Sequence, residues 1–357
     1  MNFTLFGYPK TGKTTLFNLL TGAGIPLENY SSGKREPHIR SCAIPDPRLD
    51  LLHNQYPEKV KENTAIDYTD LAGTAFGQVK NASYINHLKK ADGLTHVVRA
   101  FHGDKISGTS NRIDPAGNIL SMEEELRLVD LISIESRLEK LEKEARRGIR
   151  TGGEREQKLM HALRGHLEAG RSLREVPLLP SDEKLIRSYA FISRKPLMHV
   201  INIDESDITA HGLPEKFSAI SGPGTSILLF GLKIETEILE LDPTERDVFL
   251  EEYGLTELSL PRFLKASYDL MNLVTFYTIG KEEIKAWPIE KGTSALAAAG
   301  SIHSDIQRGF IRAEVISLTE LLRYGSLQNA KHHGAVRLEG KEYPVLDGDV
   351  IYFRFSK

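Results

Sequence analysis

The run Gly7-Tyr8-Pro9-Lys10-Thr11-Gly12-Lys13-Thr14 has the residue types and spacing of a phosphate-binding loop. A polyphosphate concentrates negative charge. A glycine-rich turn lets successive backbone N–H groups point inward around it, while the helix that follows adds the positive end of its dipole. Gly7 and Gly12 are placed for that turn. Lys13 is expected to reach the β- and γ-phosphates and the Thr14 hydroxyl to ligate Mg2+, with Lys10, Thr11, Gly12 and Thr15 completing the cradle. Hydrolysis further needs an acidic residue at a strand end to hold Mg2+, usually through water, and a backbone amide that senses the γ-phosphate. Asp70-Leu71-Ala72-Gly73 supplies both. The chemistry implied is nucleoside-triphosphate binding and phosphoanhydride hydrolysis, with Lys13 and Gly73 as the catalytic candidates and Thr14 and Asp70 as the metal candidates.

These groups work only if a scaffold brings them together. Residues 2–6 read as a strand that feeds the loop, and Thr15-Leu16-Phe17-Asn18-Leu19-Leu20 as the start of the helix that must follow it. Further apolar runs at Ala65–Thr69, Leu94–Phe101 and Leu197–Asn202 have the texture of strands covered on both faces, which implies a parallel, doubly wound α/β sheet. The last of them ends in Asn202-Ile203-Asp204-Glu205, where a guanine switch carries Asn-Lys-x-Asp. An Asp there accepts from the guanine ring N–H and exocyclic amine. Glu205 is one methylene longer and is not expected to hold the same pair of bonds, so adenine becomes the expected base.

Between the last two strands the chain is interrupted by two apolar stripes at helical spacing, Leu131, Ile134, Leu138 and Leu141, then Met160, Leu163 and Leu167. The glycines between them point to an antiparallel helical hairpin over residues 121–177, with a basic run from Lys143 to Lys158 at its tip. The expected organisation is a nucleotide-binding domain over 1–120 and 178–240, a helical connector over 241–272, and a mostly antiparallel α+β module over 273–357.

Composition narrows the class. A formal net charge of -3 provides no global field for nucleic acid, so an RNA contact needs a local basic patch. The single cysteine, Cys42, rules out an intramolecular disulfide framework and suits a reducing cytoplasm, where it is expected as a packing residue. No run is apolar enough for a membrane span, and the N-terminus runs directly into the loop, so neither a membrane partner nor a cleavable leader is expected.

With these residues in place, the chain resembles the YchF-type, or Obg-like ATPase, subfamily of the Obg-related P-loop proteins. The likeness runs through the loop and Thr15-Leu16-Phe17-Asn18, through Ile44-Pro45-Asp46-Pro47-Arg48-Leu49-Asp50, and through Ala286-Trp287, Ala298–Asp305, Gly309–Ile316 and Asp347-Gly348-Asp349-Val350. The resemblance implies a G-domain with a coiled-coil insertion and a C-terminal β-grasp TGS domain. It also implies ATP preferred over GTP, slow hydrolysis, and association with ribosomes or ribosomal RNA; Mg2+ is the expected cofactor and a monomer the expected state. By the same resemblance Phe101 and Leu232 lie near the base, and Asn202 and Glu205 match the family's N-x-x-E tetrad. The chain departs from the family at Lys10-Thr11 in the loop, at Lys34 in place of a switch threonine, at Thr74, and at Gly108 in place of a histidine, with His102 the nearest substitute. Two alternatives stay open: an Obg-type GTPase in which Asp204 reads guanine, and a nucleotide-dependent adaptor with negligible hydrolysis.

Overall fold

A computed structural model describes residues 1–26, 36–74, 79, 81–102, 113–147, 153–208, 217, 220–255 and 257–356. Lys34, Ser31 and Ser32 as its nearest hydroxyl substitutes, Gly108 and the glycines at the hairpin tip before Gly153 lie outside the described residues.

The chain opens with β1 (Asn2–Phe6), α1 (Lys13–Thr21), β2 (His38–Ala43), α2 (Pro47–Gln55), β3 (Val60–Glu62) and β4 (Ala65–Asp70). It continues through α3 (Ala82–Lys90), β5 (Gly93–Ala100), α4 (Pro115–Arg146), α5 (Gly153–Glu168), α6 (Pro180–Ile186), β6 (Leu197–Ile203) and β7 (Thr225–Phe230). Three helices follow: α7 (Leu232–Glu240), α8 (Pro243–Glu252) and α9 (Ser259–Leu270). The last segment holds β8 (Leu273–Ile279), β9 (Glu283–Glu290), α10 (Ala295–Ile302), α11 (Ser304–Arg308), β10 (Phe310–Ser317), α12 (Leu318–Tyr324), α13 (Leu327–His332), β11 (Arg337–Glu339) and β12 (Asp349–Phe355). They form two compact units, one of Met1–Ser41 and Asp67–Ala266, the other of Cys42–Ile66 and Ser267–Lys357.

In the first unit the strand order is β2-β4-β1-β5-β6-β7, and β4, β1, β5, β6 and β7 run parallel. Because parallel strands end on one side, the carboxyl ends of β1, β4, β5 and β6 share one edge, where ligands bind in open α/β sheets. Every residue of β6 is buried, as a strand covered on both faces requires. One cover is built from Leu88 and Ala91 beside α3 and from Met122, Leu126 and Val129 of α4, packed on Phe6, Leu94 and Leu197. On α1 the buried apolar residues are Leu16, Phe17 and Leu20, and elsewhere Phe263 of α9 lies between Tyr68 and Phe230 with ring centroids 5.8 and 6.5 Å away.

The helices α4 and α5 form the hairpin, closed by Ile134, Leu138, Met160, Leu163 and Leu167. Arg137 makes a bidentate pair with Glu156 at 2.9 and 3.0 Å, and the Tyr189 hydroxyl donates to the same carboxylate at 2.7 Å. At the root of the hairpin the fully buried Asp130 accepts from the backbone N–H groups of Ile192 (2.9 Å) and Ser193 (2.7 Å) and from the Ser193 hydroxyl (2.6 Å). Asp130→Ala strands those donors in the interior. It is expected to lower unfolding free energy by about 2–4 kcal/mol, since each unsatisfied buried group costs ~1–3 kcal/mol. Urea denaturation measures it, and a loss within error would remove Asp130 as the anchor.

The second unit is a sheet of order β11-β10-β12-β8-β9-β3. One face carries Phe276, Phe310, Ala313, Val315, Ile351 and Phe353 against the alanines of α10. The other carries Tyr277, Ile284, Ile316 and Val350 against Leu49 and Leu52 of α2 and Leu318, Leu321 and Ala330 of α12 and α13. The span from Cys42 to Ile66 is therefore part of this unit. Asp46 caps α2 ahead of Pro47 and accepts from the Tyr277 hydroxyl at 2.6 Å, and β3 adds to β9 in parallel.

Candidate functional site

The loop from Gly7 to Gly12 joins the end of β1 to the N-terminus of α1. Gly12 has φ +101°, and a Cβ there would sit 2.5 Å from Asn202 Nδ2, so backbone strain and space both demand glycine. Lys10 is also left-handed, at φ 58°, and exposed. That region is disfavoured for residues that carry a Cβ, but Asn enters it more readily because its short polar side chain hydrogen-bonds locally to the backbone. Lys10→Asn is expected to raise stability by about 0.5–1 kcal/mol, read as a higher urea midpoint; a lower midpoint would mean the lysine makes a compensating contact.

Lys13 is 2% exposed, and its Nζ donates to the Tyr8 carbonyl at 2.6 Å, folded back over the loop. Burial pulls its pKa down to about 8, opposed by the Asp70 carboxylate. Thr11 is buried, with its hydroxyl on the same Tyr8 carbonyl at 3.2 Å, while Thr15 is half-buried on the first turn of α1. The Thr14 hydroxyl donates to Asp70 Oδ2 at 2.9 Å, so the two candidate metal ligands, from α1 and from the end of β4, are in direct contact.

Gly73 closes the site from the β4 side. A Cβ on it would lie 2.6 Å from Pro9 Cα, 2.7 Å from Pro9 N and 3.0 Å from Lys13 Nζ. The adjoining Thr74 donates its N–H to the Gly7 carbonyl at 3.2 Å. The segment after Asp70 thus lies directly against the phosphate loop, which the two motifs read separately along the chain do not reveal.

At the end of β6, Asn202 Nδ2 donates to the Thr11 carbonyl at 3.1 Å and Asn202 Oδ1 accepts from the Leu232 N–H at 3.3 Å. Asn202 therefore ties the phosphate loop to the start of α7. The backbone N–H of Leu232 is engaged by Asn202, and its carbonyl accepts the Thr236 hydroxyl at 2.7 Å. Phe101 follows β5 with the Arg99 guanidinium 4.8 Å from its ring centroid. Next to it, the His102 N–H donates to Asp204 Oδ2 at 2.8 Å, and His102 Nδ1 lies 2.7 Å from the same oxygen. Glu205 is exposed and accepts from the Tyr253 hydroxyl.

The donor set at Thr14 and Asp70 is a hydroxyl and a carboxylate, hard oxygens of the kind Mg2+ takes, and it contains no nitrogen or sulfur that would select another metal. Tyr253 and His102 are the site neighbours that sequence reading did not assign to base contacts. Tyr253 carries no local signal at all, since only the fold brings it to Glu205.

A parallel sheet with a glycine-rich loop between β1 and α1, a buried lysine in that loop and a strand-end aspartate on its threonine defines a P-loop nucleoside-triphosphatase. Residues 2–134 match the family model described as 50S ribosome-binding GTPase, and residues 273–356 match the YchF-GTPase C-terminal model, described as a protein of unknown function. The chain is 36% identical to the ribosome-binding ATPase YchF of Bacillus subtilis, over 99% of this chain and 98% of that protein. It is 30% identical to Obg-like ATPase 1 of Oryza sativa, over 99% of this chain and 91% of that protein. The structure of the Schizosaccharomyces pombe YchF GTPase has the same fold, with a TM-score of 0.82 at 24% identity, covering 99% of this chain and 97% of that one. The chain belongs to the YchF/Obg-like ATPase family.

Proposed function

We propose that this protein is a slow Mg2+-dependent ATPase in which bound nucleotide sets the arrangement of residues 30–40 and 73–85, and that it associates with ribosomes in the cytoplasm as a monomer. The observation that carries the reading is the convergence of Lys13, the Thr14–Asp70 pair and Gly73 on one loop that Asn202 fastens to α7. Ribosome association is carried over from the Bacillus subtilis relative, a ribosome-binding ATPase, and ATP preference from both ATPase relatives together with Glu205.

In this reading the backbone N–H groups of Lys10, Thr11, Gly12, Lys13, Thr14 and Thr15 cradle the phosphates. Lys13 exchanges the Tyr8 carbonyl for phosphate oxygens, and the Gly73 N–H faces the γ-phosphate. Thr14 and Asp70 would hold Mg2+, which when bound withdraws charge from the β- and γ-phosphates. Turnover is electrostatic: donors already fixed by the fold stabilise the charge that develops on the transferred group. Thr74 offers no amide side chain to orient water, in keeping with slow hydrolysis.

Phe101, Asn202, Glu205 and Leu232 form the base end. The functional domains we propose are 1–120 with 178–240, a hairpin at 121–177, a connector at 241–272 and a TGS-type module at 273–357, with residues 42–66 of the first segment lent structurally to the C-terminal unit. An Obg-type GTPase with Asp204 on guanine would have to read the base through Oδ1, because both His102 contacts fall on Asp204 Oδ2.

The test is calorimetric titration of the full chain with ATP and with GTP, each with Mg2+ and again with excess EDTA. Tighter, Mg2+-dependent ATP binding supports the reading; tighter GTP binding overturns the base assignment. Phosphate release separates the slow ATPase from an adaptor without turnover, with Lys13→Ala reporting contaminating activity. Co-sedimentation with ribosomes tests the partner.

A further inference from the structure

We infer that Tyr253, at the C-terminal end of α8, is a specificity-determining positioning residue: by donating its hydroxyl to Glu205 it makes that carboxylate a one-bond acceptor for the adenine amine and a poor acceptor for guanine. The inference rests on the proposed role of Glu205 in reading the base.

Glu205 opens a single 3-10 turn, Glu205–Asp207, immediately after β6, and its side chain is exposed. An exposed glutamate on such a turn samples many rotamers and provides little discrimination by itself. Tyr253 removes that freedom. It lies in the C-cap position of α8, where its N–H donates to the Phe249 carbonyl at 3.1 Å, so the helix end holds its backbone in place. Its ring is half-buried, and its hydroxyl donates to Glu205 Oε1. Asp204, Glu205, Ser206, Glu252 and Tyr253 line an open cavity of about 610 Å³ beside this pair.

The chemistry of the two purines decides what the pair selects. Guanine presents its ring N–H and its exocyclic amine side by side, and a carboxylate reads them by giving one oxygen to each. Adenine presents at the corresponding edge one amine and a ring acceptor. With Oε1 engaged by Tyr253, the carboxylate is not free to swing both oxygens into line with the paired guanine donors, whereas one oxygen, Oε2, is enough for the adenine amine. An unmet donor in a site built for hydrogen bonding weakens binding far more than a missing apolar contact does. Asp204 has its Oδ2 already bonded to His102, which leaves only Oδ1 as an acceptor there.

The experiment measures ATP and GTP dissociation constants with Mg2+ for the full chain, Tyr253→Phe, Glu205→Gln, and Tyr253→Phe in a Glu205→Ala background. Phe keeps the ring and its packing, so the variant isolates the hydroxyl. The expected result for Tyr253→Phe is a three- to tenfold smaller ATP over GTP preference, through weaker ATP and stronger GTP binding, and no change of preference in the Glu205→Ala background. An equal loss for both nucleotides would mark a structural role and overturn the inference. So would an unchanged preference in Tyr253→Phe while Glu205→Gln shifts it. If Glu205→Gln itself changes neither constant, the base reading fails, and the inference fails with it.

Discussion

Replacing Lys13 by Met is expected to abolish measurable nucleotide binding while making the nucleotide-free protein more stable. The reason is that Lys13 is buried, and among the described residues the Asp70 carboxylate only partly opposes the desolvation, so its pKa falls to about 8 from the ordinary lysine value. At pH 7 the side chain is still charged, so the fold carries the cost of that desolvated charge. One pKa unit corresponds to 1.36 kcal/mol, which makes the gain in Lys13→Met about 2–3 kcal/mol after the lost bond to the Tyr8 carbonyl is counted. The sign follows from linkage. Between pH 8 and the unfolded lysine pKa the unfolded chain binds more protons, so wild-type stability rises with pH through that window. The variant lacks the rise.

Phosphate oxygens restore the proton to Lys13. Nucleotide affinity in the wild type is therefore expected to decline above pH 8, by up to about tenfold per pH unit. Urea titrations at pH 7 and pH 10, with calorimetry across the same range, read both effects. A less stable Lys13→Met protein, or one that still binds ATP, would contradict the account.

Gly73→Ala is expected to weaken triphosphate binding by about 10- to 100-fold, the equivalent of about 1.4–2.8 kcal/mol, with a smaller loss for the diphosphate. A Cβ at this position meets the Pro9 backbone at 2.6 and 2.7 Å, closer than such contacts occur, so either the Gly73 segment or the phosphate loop must move. Overpacking of this kind typically costs ~1–3 kcal/mol. The cost falls on the surface that would sense the γ-phosphate, and the methyl also crowds Lys13 Nζ at 3.0 Å. Calorimetry with ATP and ADP gives the comparison, and circular dichroism verifies the fold. Equal losses for the two nucleotides would place Gly73 in general packing and away from γ-phosphate sensing.

The phosphate loop and its flanking strand and helix are legible in the sequence because they are contiguous: a turn that must expose backbone N–H groups needs Gly7 and Gly12 at fixed spacing, and its context lies within a few residues. The parallel strands ending at Asp70 and Asn202 are legible for a similar reason, since burial on both faces leaves apolar runs. The stripes of α4 and α5 follow from helical period alone.

Other features could not be read that way. The strand Phe310–Ser317 carries a register shift between Phe310 and Arg312, and it buries Glu314 beside Lys331 and Arg354, which breaks the pattern that would announce it. Residues 42–66 belong with the distant C-terminal sheet through the pairing of Val60–Glu62 with Glu283–Lys285. Tyr253 on Glu205, His102 on Asp204 and Asn202 across Thr11 and Leu232 likewise join residues far apart along the chain. Local sequence specifies the turns, caps and periodic faces on which chemistry is mounted. Which polar groups then share a hydrogen bond depends on how the elements pack, because only packing sets distances between residues that the chain itself does not hold together.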